Sequence, residues 1–279
     1  MAKRENRKGL RHFPISVSGI LVFLLMAVSG FGQGPLCIPV EYQTSPFFVH
    51  FRGAGNPTLV VIHGGFSSTL QADLFCCEFA RILGQRYNII SVDYRFSSLG
   101  GGELVDVLRG INLAENRWRT PKSQIHLIGA SHGGFLALMA ASQEEVGSVI
   151  DAYGPTNWLI QWRYVREHRP DILKRWRIYL AISRSACRDM NLEFNQCLVQ
   201  RSVVNPRHLQ GLQEPILILH GAKDRLVPVK ESKLLARELK KRGRKVTLVI
   251  LPQRGHAFPL WKGKPLGLVE RLLKEEEGR

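Results

Sequence analysis

Six short, largely apolar runs govern what this chain can fold into, at residues 58–62, 87–94, 125–128, 146–152, 215–219 and 246–251. A strand that is apolar without alternation is buried on both faces, as happens when helices cover both sides of a parallel sheet. Helical spacing fills most of the intervals. It runs over 71–83, closed by Gly84, over 103–118, 135–143 and 230–241, and ends in an amphipathic stretch at 266–276. The chain is therefore predicted to be α/β, a mostly parallel, doubly wound sheet with helices on both faces. Two shorter strands, 40–44 and 47–51, precede it, separated by Ser45 and Pro46. The 279 residues leave room for one such domain with an insertion. Sheets of this kind bind ligands at the carboxyl ends of their strands, so chemistry is sought there.

The run at 125–128 ends in Gly129-Ala130-Ser131-His132-Gly133, and a helix-forming run, 135–141, follows at once. Strand, Gly-x-Ser-x-Gly, helix is the context of a nucleophile elbow, a turn so sharp that its serine is strained and side chains beside it would collide. Ser131 is the candidate nucleophile, aimed above the sheet edge with a helix N-terminus behind it to favour negative charge. A serine hydroxyl needs a base, and the base needs an acid to fix its tautomer. Asp224 falls in the loop after the 215–219 strand and His256 in the loop after the 246–251 strand. The order Ser, Asp, His is that expected of an α/β-hydrolase fold. His63-Gly64-Gly65-Phe66 follows an early central strand, so the N–H groups of Gly65 and Phe66 can join that of His132 in an oxyanion hole, with the choice of two among the three left open. His63 and His132 read as structural, Asp93 and Asp151 as turn acids, with Asp151 the reserve for Asp224.

These motifs resemble a known family. Gly129-Ala130-Ser131-His132-Gly133-Gly134 is similar to the elbow of the catalytic domain of the prolyl oligopeptidase family of serine peptidases. Val92-Asp93-Tyr94-Arg95, His220-Gly221-x-x-Asp224-x-x-Val227-Pro228 and Gly255-His256-Ala257-Phe258 point the same way. The resemblance, over roughly residues 58–273, implies Ser131 as nucleophile, His256 as general base and then acid, and Asp224 as orienting acid. It implies no metal or organic cofactor. The family's well-known members carry a β-propeller ahead of the hydrolase domain, whereas here about 25 residues separate Gln33 from the first core strand, too few for one. A serine peptidase is expected, with a carboxylesterase on small esters and a non-catalytic binding protein on the same fold as alternatives.

Residues 155–213 show no clear strand but carry aromatic and basic residues in helical order, among them Trp158, Trp162, Arg163, Arg166 and Trp176. An insertion leaving from strand carboxyl ends is expected to cover the site as a helical lid. Its aromatics read as its own small core more than as substrate contacts, and its arginines, if they face the site, would favour acidic substrates. Residues 1–32 read as a signal peptide or N-terminal anchor, ahead of a hydrolase domain at 33–279. A basic stretch precedes an apolar run of about 14 residues, short of the about 20 needed to span a bilayer. Export, periplasmic or secreted, is the expectation.

Lys and Arg number 39 against 23 Asp and Glu, a net +16. With no nucleic-acid motif and no basic helix interleaved with aromatics, this reads as a solvated exterior able to touch anionic surfaces, not as a nucleic-acid face. Of the five cysteines, Cys187 and Cys197 are the preferred disulfide pair, Cys76 and Cys77 read as buried small hydrophobes, and no spacing resembles a metal site.

Overall fold

The computed structural model describes residues 36–65, 68–95, 100–175 and 177–278. The strands are β1 Ile38–Tyr42, β2 Ser45–His50, β3 Thr58–Ile62, β4 Asn88–Val92, β5 Ile125–Ala130, β6 Ser148–Ala152, β7 Ile216–Gly221 and β8 Val246–Leu251. They form one eight-stranded sheet in the order β1-β2-β4-β3-β5-β6-β7-β8. The pairs from β4 through to β8 are parallel, and β1 and β2 add an antiparallel edge. The helices are α1 Thr69–Leu83, α2 Gly102–Asn112, α3 His132–Ala141, α4 Trp158–His168, α5 Pro170–Arg175, α6 Arg177–Asp189, α7 Phe194–Gln200, α8 Pro206–Gly211, α9 Lys230–Lys241 and α10 Gly263–Glu277. This is the α/β-hydrolase fold expected from the alternation of runs.

Side chains that alternate along each strand serve two separate layers. Val60, Ile62, Ile90, Leu127 and Ile218 pack with α2, α3 and α9. Leu59, Val61, Ile89, Ile128 and Leu219 pack with α1 and α10. Every residue of α3 is buried, which is why its sequence is apolar all round. The chain passes from β3 outward to β4 and then returns across to β5, so the order of strands reverses beside the elbow. A crevice opens at such a switch point.

Three local expectations are corrected. The break between the first two strands lies at Gln43 and Thr44, not at Ser45 and Pro46. Both residues take positive φ, 50° and 64°, and Tyr42 pairs with Ser45 across a two-residue turn, the geometry that matches strand twist. The helix expected over 103–118 ends as an α-helix at Asn112 and continues as a π-helical turn over Leu113–Arg117. Cys76 is not a free buried hydrophobe. It is bonded to Cys37, closing 39 residues of chain and tying the start of the sheet edge to α1. The preferred pair, Cys187 with Cys197, is formed, and Cys77 is the free thiol, half-buried and not fully buried as expected.

The insertion over 155–213 is helical throughout its regular structure, from α4 to α8. Trp162 and Phe194 meet edge to face at 5.6 Å, and the Arg184 guanidinium lies 5.2 Å over the Phe194 ring, so these aromatics do form a local core. Residues 1–32, Phe66 and Trp176 lie outside the described residues. No helix among the described residues is long and apolar enough to cross a membrane.

A crosslink over 39 residues restricts the unfolded chain by about 4 kcal/mol in the chain-entropy account. Replacing both Cys37 and Cys76 with alanine is expected to lower the unfolding free energy in urea by about 2–4 kcal/mol. An unchanged midpoint and slope would mean that the bond contributes nothing to stability.

Candidate active site

Ser131 sits between β5 and α3 with φ 54° and ψ −120°, a left-handed backbone that a non-glycine residue adopts at a cost of order 1–3 kcal/mol. The two motif glycines make this turn possible. A Cβ at Gly129 would lie 2.1 Å from the Gly133 carbonyl oxygen, and one at Gly133 would lie 2.2 Å from that of Ile62. The strained serine is thereby lifted clear of the sheet at the carboxyl end of β5.

The two loops expected to supply base and acid converge on it. Ser131 Oγ is 2.9 Å from His256 Nε2, across 125 residues of sequence, and His256 Nδ1 is 2.7 Å from Asp224 Oδ2. A carboxylate can only accept, so Nδ1 carries the ring proton and Nε2 is free to take the serine's. Asp224 itself is fully buried as a side chain. Burial alone would raise its pKa. Hydrogen bonds from His220 and His256, the positive charge His256 can carry, and the Leu226 N–H outweigh that and hold the carboxyl well below the usual range. Its Oδ1 accepts from the backbone N–H groups of Leu226 and Val227 at 2.8 and 2.9 Å. The group is thus ionised wherever His256 needs it.

Tyr153 was missed by sequence reasoning. It follows β6 with φ 48°, its ring meets that of His256 edge to face at 4.8 Å, and its hydroxyl donates to the Phe258 carbonyl at 3.1 Å. It therefore braces the loop that presents the base. Only its place just beyond a strand end hinted at this.

On the oxyanion side, Gly65 has φ 77° and lines the cavity together with His132; Phe66 is outside the described residues. The Tyr94 hydroxyl lies 2.9 Å from the Gly65 carbonyl and 3.2 Å from that of His63, donating to them, which pins this loop. The His132 N–H belongs to the first turn of α3, whose amides have no intrahelical acceptor. The His63 ring stacks on Tyr94 at 4.4 Å, Nδ1 meets the Gly64 carbonyl, and burial depresses its pKa; it shapes the loop, as expected. The His132 ring is packed against Trp158 and Phe135, with Nε2 3.6 Å from Glu103. Asp151, the reserve acid, accepts from the Gly154 N–H and is pushed up to about 7 by burial. It stands behind the elbow while Asp224 occupies the acid position.

A cavity of about 470 Å³ opens on Ser131 and His256. Leu74, Phe75, Trp158, Phe258 and Trp261 give it an apolar wall, and Gln71 and Gln161 add neutral polar groups. No Asp, Glu, Lys or Arg is among its described lining residues. Arg163 and Arg166 are exposed on α4 and do not line it, so no basic residue of the insertion is among the described residues that line the cavity. It does bring Pro155, Trp158 and Gln161. Trp158, 6% exposed, is both core and cavity wall. Among the described residues no cluster of His, Cys, Asp and Glu is arranged to hold a metal ion.

The family model that matches is described as the prolyl oligopeptidase family, over residues 96–272. Over 236 residues the chain is 26% identical to acylamino-acid-releasing enzyme 1 of Oryza sativa subsp. japonica, an alignment covering 76% of this chain and 29% of that protein. It is 24% identical over 236 residues to esterase LipC of Mycobacterium tuberculosis, covering 76% of this chain and 55% of the relative. The crystal structure of puromycin hydrolase superposes with a TM-score of 0.70 at 14% identity, covering 88% of this chain and 39% of that one, a likeness of fold. The chain thus spans less than a third of the length of the plant relative.

The insertion is moored to the sheet domain by a buried acid. Glu231 Oε2, in the first turn of α9, accepts from the backbone N–H groups of Thr156 and Asn157 at 2.9 and 2.8 Å. Burial outweighs these two bonds and raises the carboxyl from 4.5 to about 8. An acid with a raised folded pKa holds its proton more tightly when folded than when unfolded. Its contribution is therefore intact below about 4.5 and is lost as pH rises toward about 8. Glu231→Gln keeps an oxygen for both amides and removes the titration. Its melting temperature is expected to gain on the parent protein between pH 5 and pH 8, and a constant difference across that range would contradict the assignment.

Proposed function

The chain belongs to the prolyl oligopeptidase family, and from that premise we propose that it is an exported serine hydrolase that cleaves peptides through an acyl-enzyme intermediate. The observation that carries this reading is the unbroken contact from Ser131 through His256 to Asp224 at the mouth of an apolar cavity. Ser131 Oγ gives its proton to His256 Nε2 as it bonds to the substrate carbonyl carbon. The imidazolium so formed is held against the Asp224 carboxylate. Negative charge passes to the carbonyl oxygen, where the N–H groups of Gly65, Phe66 and His132 are the candidate donors. Collapse expels the amine, which takes the proton from His256. A water deprotonated by His256 then attacks the acyl-serine and restores the free enzyme.

A cavity with no carboxylate among its described lining residues favours an acyl group whose amino end is blocked, since a free ammonium buried there would lack a counter-charge. The name of the plant relative, an acylamino-acid-releasing enzyme, is in keeping with that preference. Small neutral esters fit the same wall, and the likeness to an esterase supports that as the second reading. Export is supported by the basic and apolar pattern of residues 1–32 and by two disulfides, which persist in oxidising compartments. The net +16 supports contact with anionic surfaces.

Fluorophosphonate treatment of the protein and of Ser131→Ala tests the core of the proposal, with turnover followed on N-acetyl-Phe-p-nitroanilide, Gly-Phe-p-nitroanilide and p-nitrophenyl butyrate. Labelling is expected in the parent alone, with kcat at least about 10⁴-fold lower in the variant. The acetylated anilide is expected to exceed the free-amino one in kcat/KM. Labelling of the alanine variant at the same rate would remove Ser131 as nucleophile, and turnover of the butyrate alone would favour the esterase.

A further inference from the structure

We propose that His220 is a positioning residue of this active site, holding the Asp224 carboxylate in the orientation from which it directs His256. The inference rests on the triad reading above and adds a member that touches neither substrate nor nucleophile.

His220 occupies the penultimate position of β7 and is completely buried. Its Nε2 lies 3.0 Å from the Val227 carbonyl and 3.3 Å from Asp224 Oδ2. Both neighbours are acceptors, so this nitrogen must carry the ring proton. Nδ1 lies 2.7 Å from Ser232 Oγ, and with the proton on Nε2 the Ser232 hydroxyl is the donor there. Ser232 belongs to α9. The ring is therefore fixed at both nitrogens, and its tautomer is dictated by its surroundings.

The consequence falls on the acid. Asp224 Oδ1 is held by two backbone amides, while Oδ2 accepts from His256 at 2.7 Å and lies 3.3 Å from the His220 Nε2–H, which it shares with the Val227 carbonyl. The two amides come from the acid's own loop and move with it. His220 is anchored in the sheet and binds both the side chain that begins the loop and the Val227 carbonyl that follows. It is thus the donor that ties the orientation of the carboxylate to the frame carrying Ser131. Without it, the carboxylate can turn about its Cβ–Cγ bond, and His256 loses the fixed partner that sets its own proton and angle.

Two variants in the full chain separate this role from mere space filling. In His220→Gln the side-chain nitrogen reaches the place of imidazole Nε2 and can still bond Asp224. In His220→Asn it reaches only the place of Nδ1, beside Ser232. The Asn variant is expected to lose about ten- to a hundredfold in kcat on the best substrate of the panel, with KM within about twofold, the size expected when a buried carboxylate loses a donor. The Gln variant is expected to stay within about fivefold of the parent. The far-downfield proton resonance of the His256–Asp224 hydrogen bond should persist with Gln and shift or vanish with Asn. Equal kcat for Gln and Asn, or a loss confined to KM, overturns the proposal. Should the Asn variant not fold, Ser232→Ala decides: loss of the Nδ1 anchor is expected to lower kcat about threefold, and an unchanged kcat overturns it. A parent protein that takes no fluorophosphonate label would instead sink the triad reading and this inference with it. A labelled parent with equal Gln and Asn variants removes His220 alone.

Discussion

The carbonyls of Ile62 and His63 press against the turn that carries Ser131. A Cβ at Gly133 would sit 2.2 and 2.4 Å from them. That contact joins the end of β3 to the start of α3, and the candidate nucleophile and candidate oxyanion donors meet in it. β3 and β5 are parallel neighbours, paired through Ile62 and Gly129, so both strands end at the same level. The loop leaving β3 supplies Gly65, and the turn leaving β5 supplies Ser131 and the His132 amide. The candidate nucleophile and the described candidate oxyanion donors therefore share one packing unit, and α3 has to be buried on every side to hold it. The strain at Ser131 persists because the surroundings over-determine it.

Three buried acids near this unit show how donors, more than burial, decide whether a carboxylate can serve catalysis. Asp224 receives two backbone amides and two imidazoles, and its pKa falls. Glu231 receives two amides and rises to about 8. Asp151 receives the Gly154 amide and rises to about 7. Desolvation opposes the charge in all three; at Asp224 the hydrogen bonds together with the charge His256 can carry outweigh it, and at the other two the donors do not. The acid whose pKa is lowered is the one facing His256.

The elbow, the loops bearing Asp224 and His256 and the central strands were legible because each depends on local rules. Glycines flank a serine at a strand end, a β-branched run marks a buried strand, and Asp224 and His256 follow such runs directly. What was not legible depends on contacts between distant residues. Cys76 looks like any small apolar residue in α1, and only the arrival of Cys37 beside it makes a bond. Glu231 sits in a Lys- and Glu-rich helix that reads as solvated, yet the start of the insertion covers it. Gln43 and Thr44 are not residues that announce positive φ, and the sheet imposes it. The arginines of α4 share a helix with Trp158, but only the tertiary position of that helix decides that they face solvent.

The first helix of the insertion is also fastened to the loop that bears Asp224. The Gln161 amide donates to the Leu226 carbonyl at 2.9 Å, and Tyr164 and Arg169 both donate to that of Arg225. These carbonyls lie in the same four-residue bend as Asp224. A cover attached in this way is not a door on an independent hinge. A guest too bulky for the chamber would push α4 outward and drag the bend with it, loosening the acid it needs. Size selection in such an arrangement would act on turnover more than on affinity: an oversized molecule would lodge and yet fail to react.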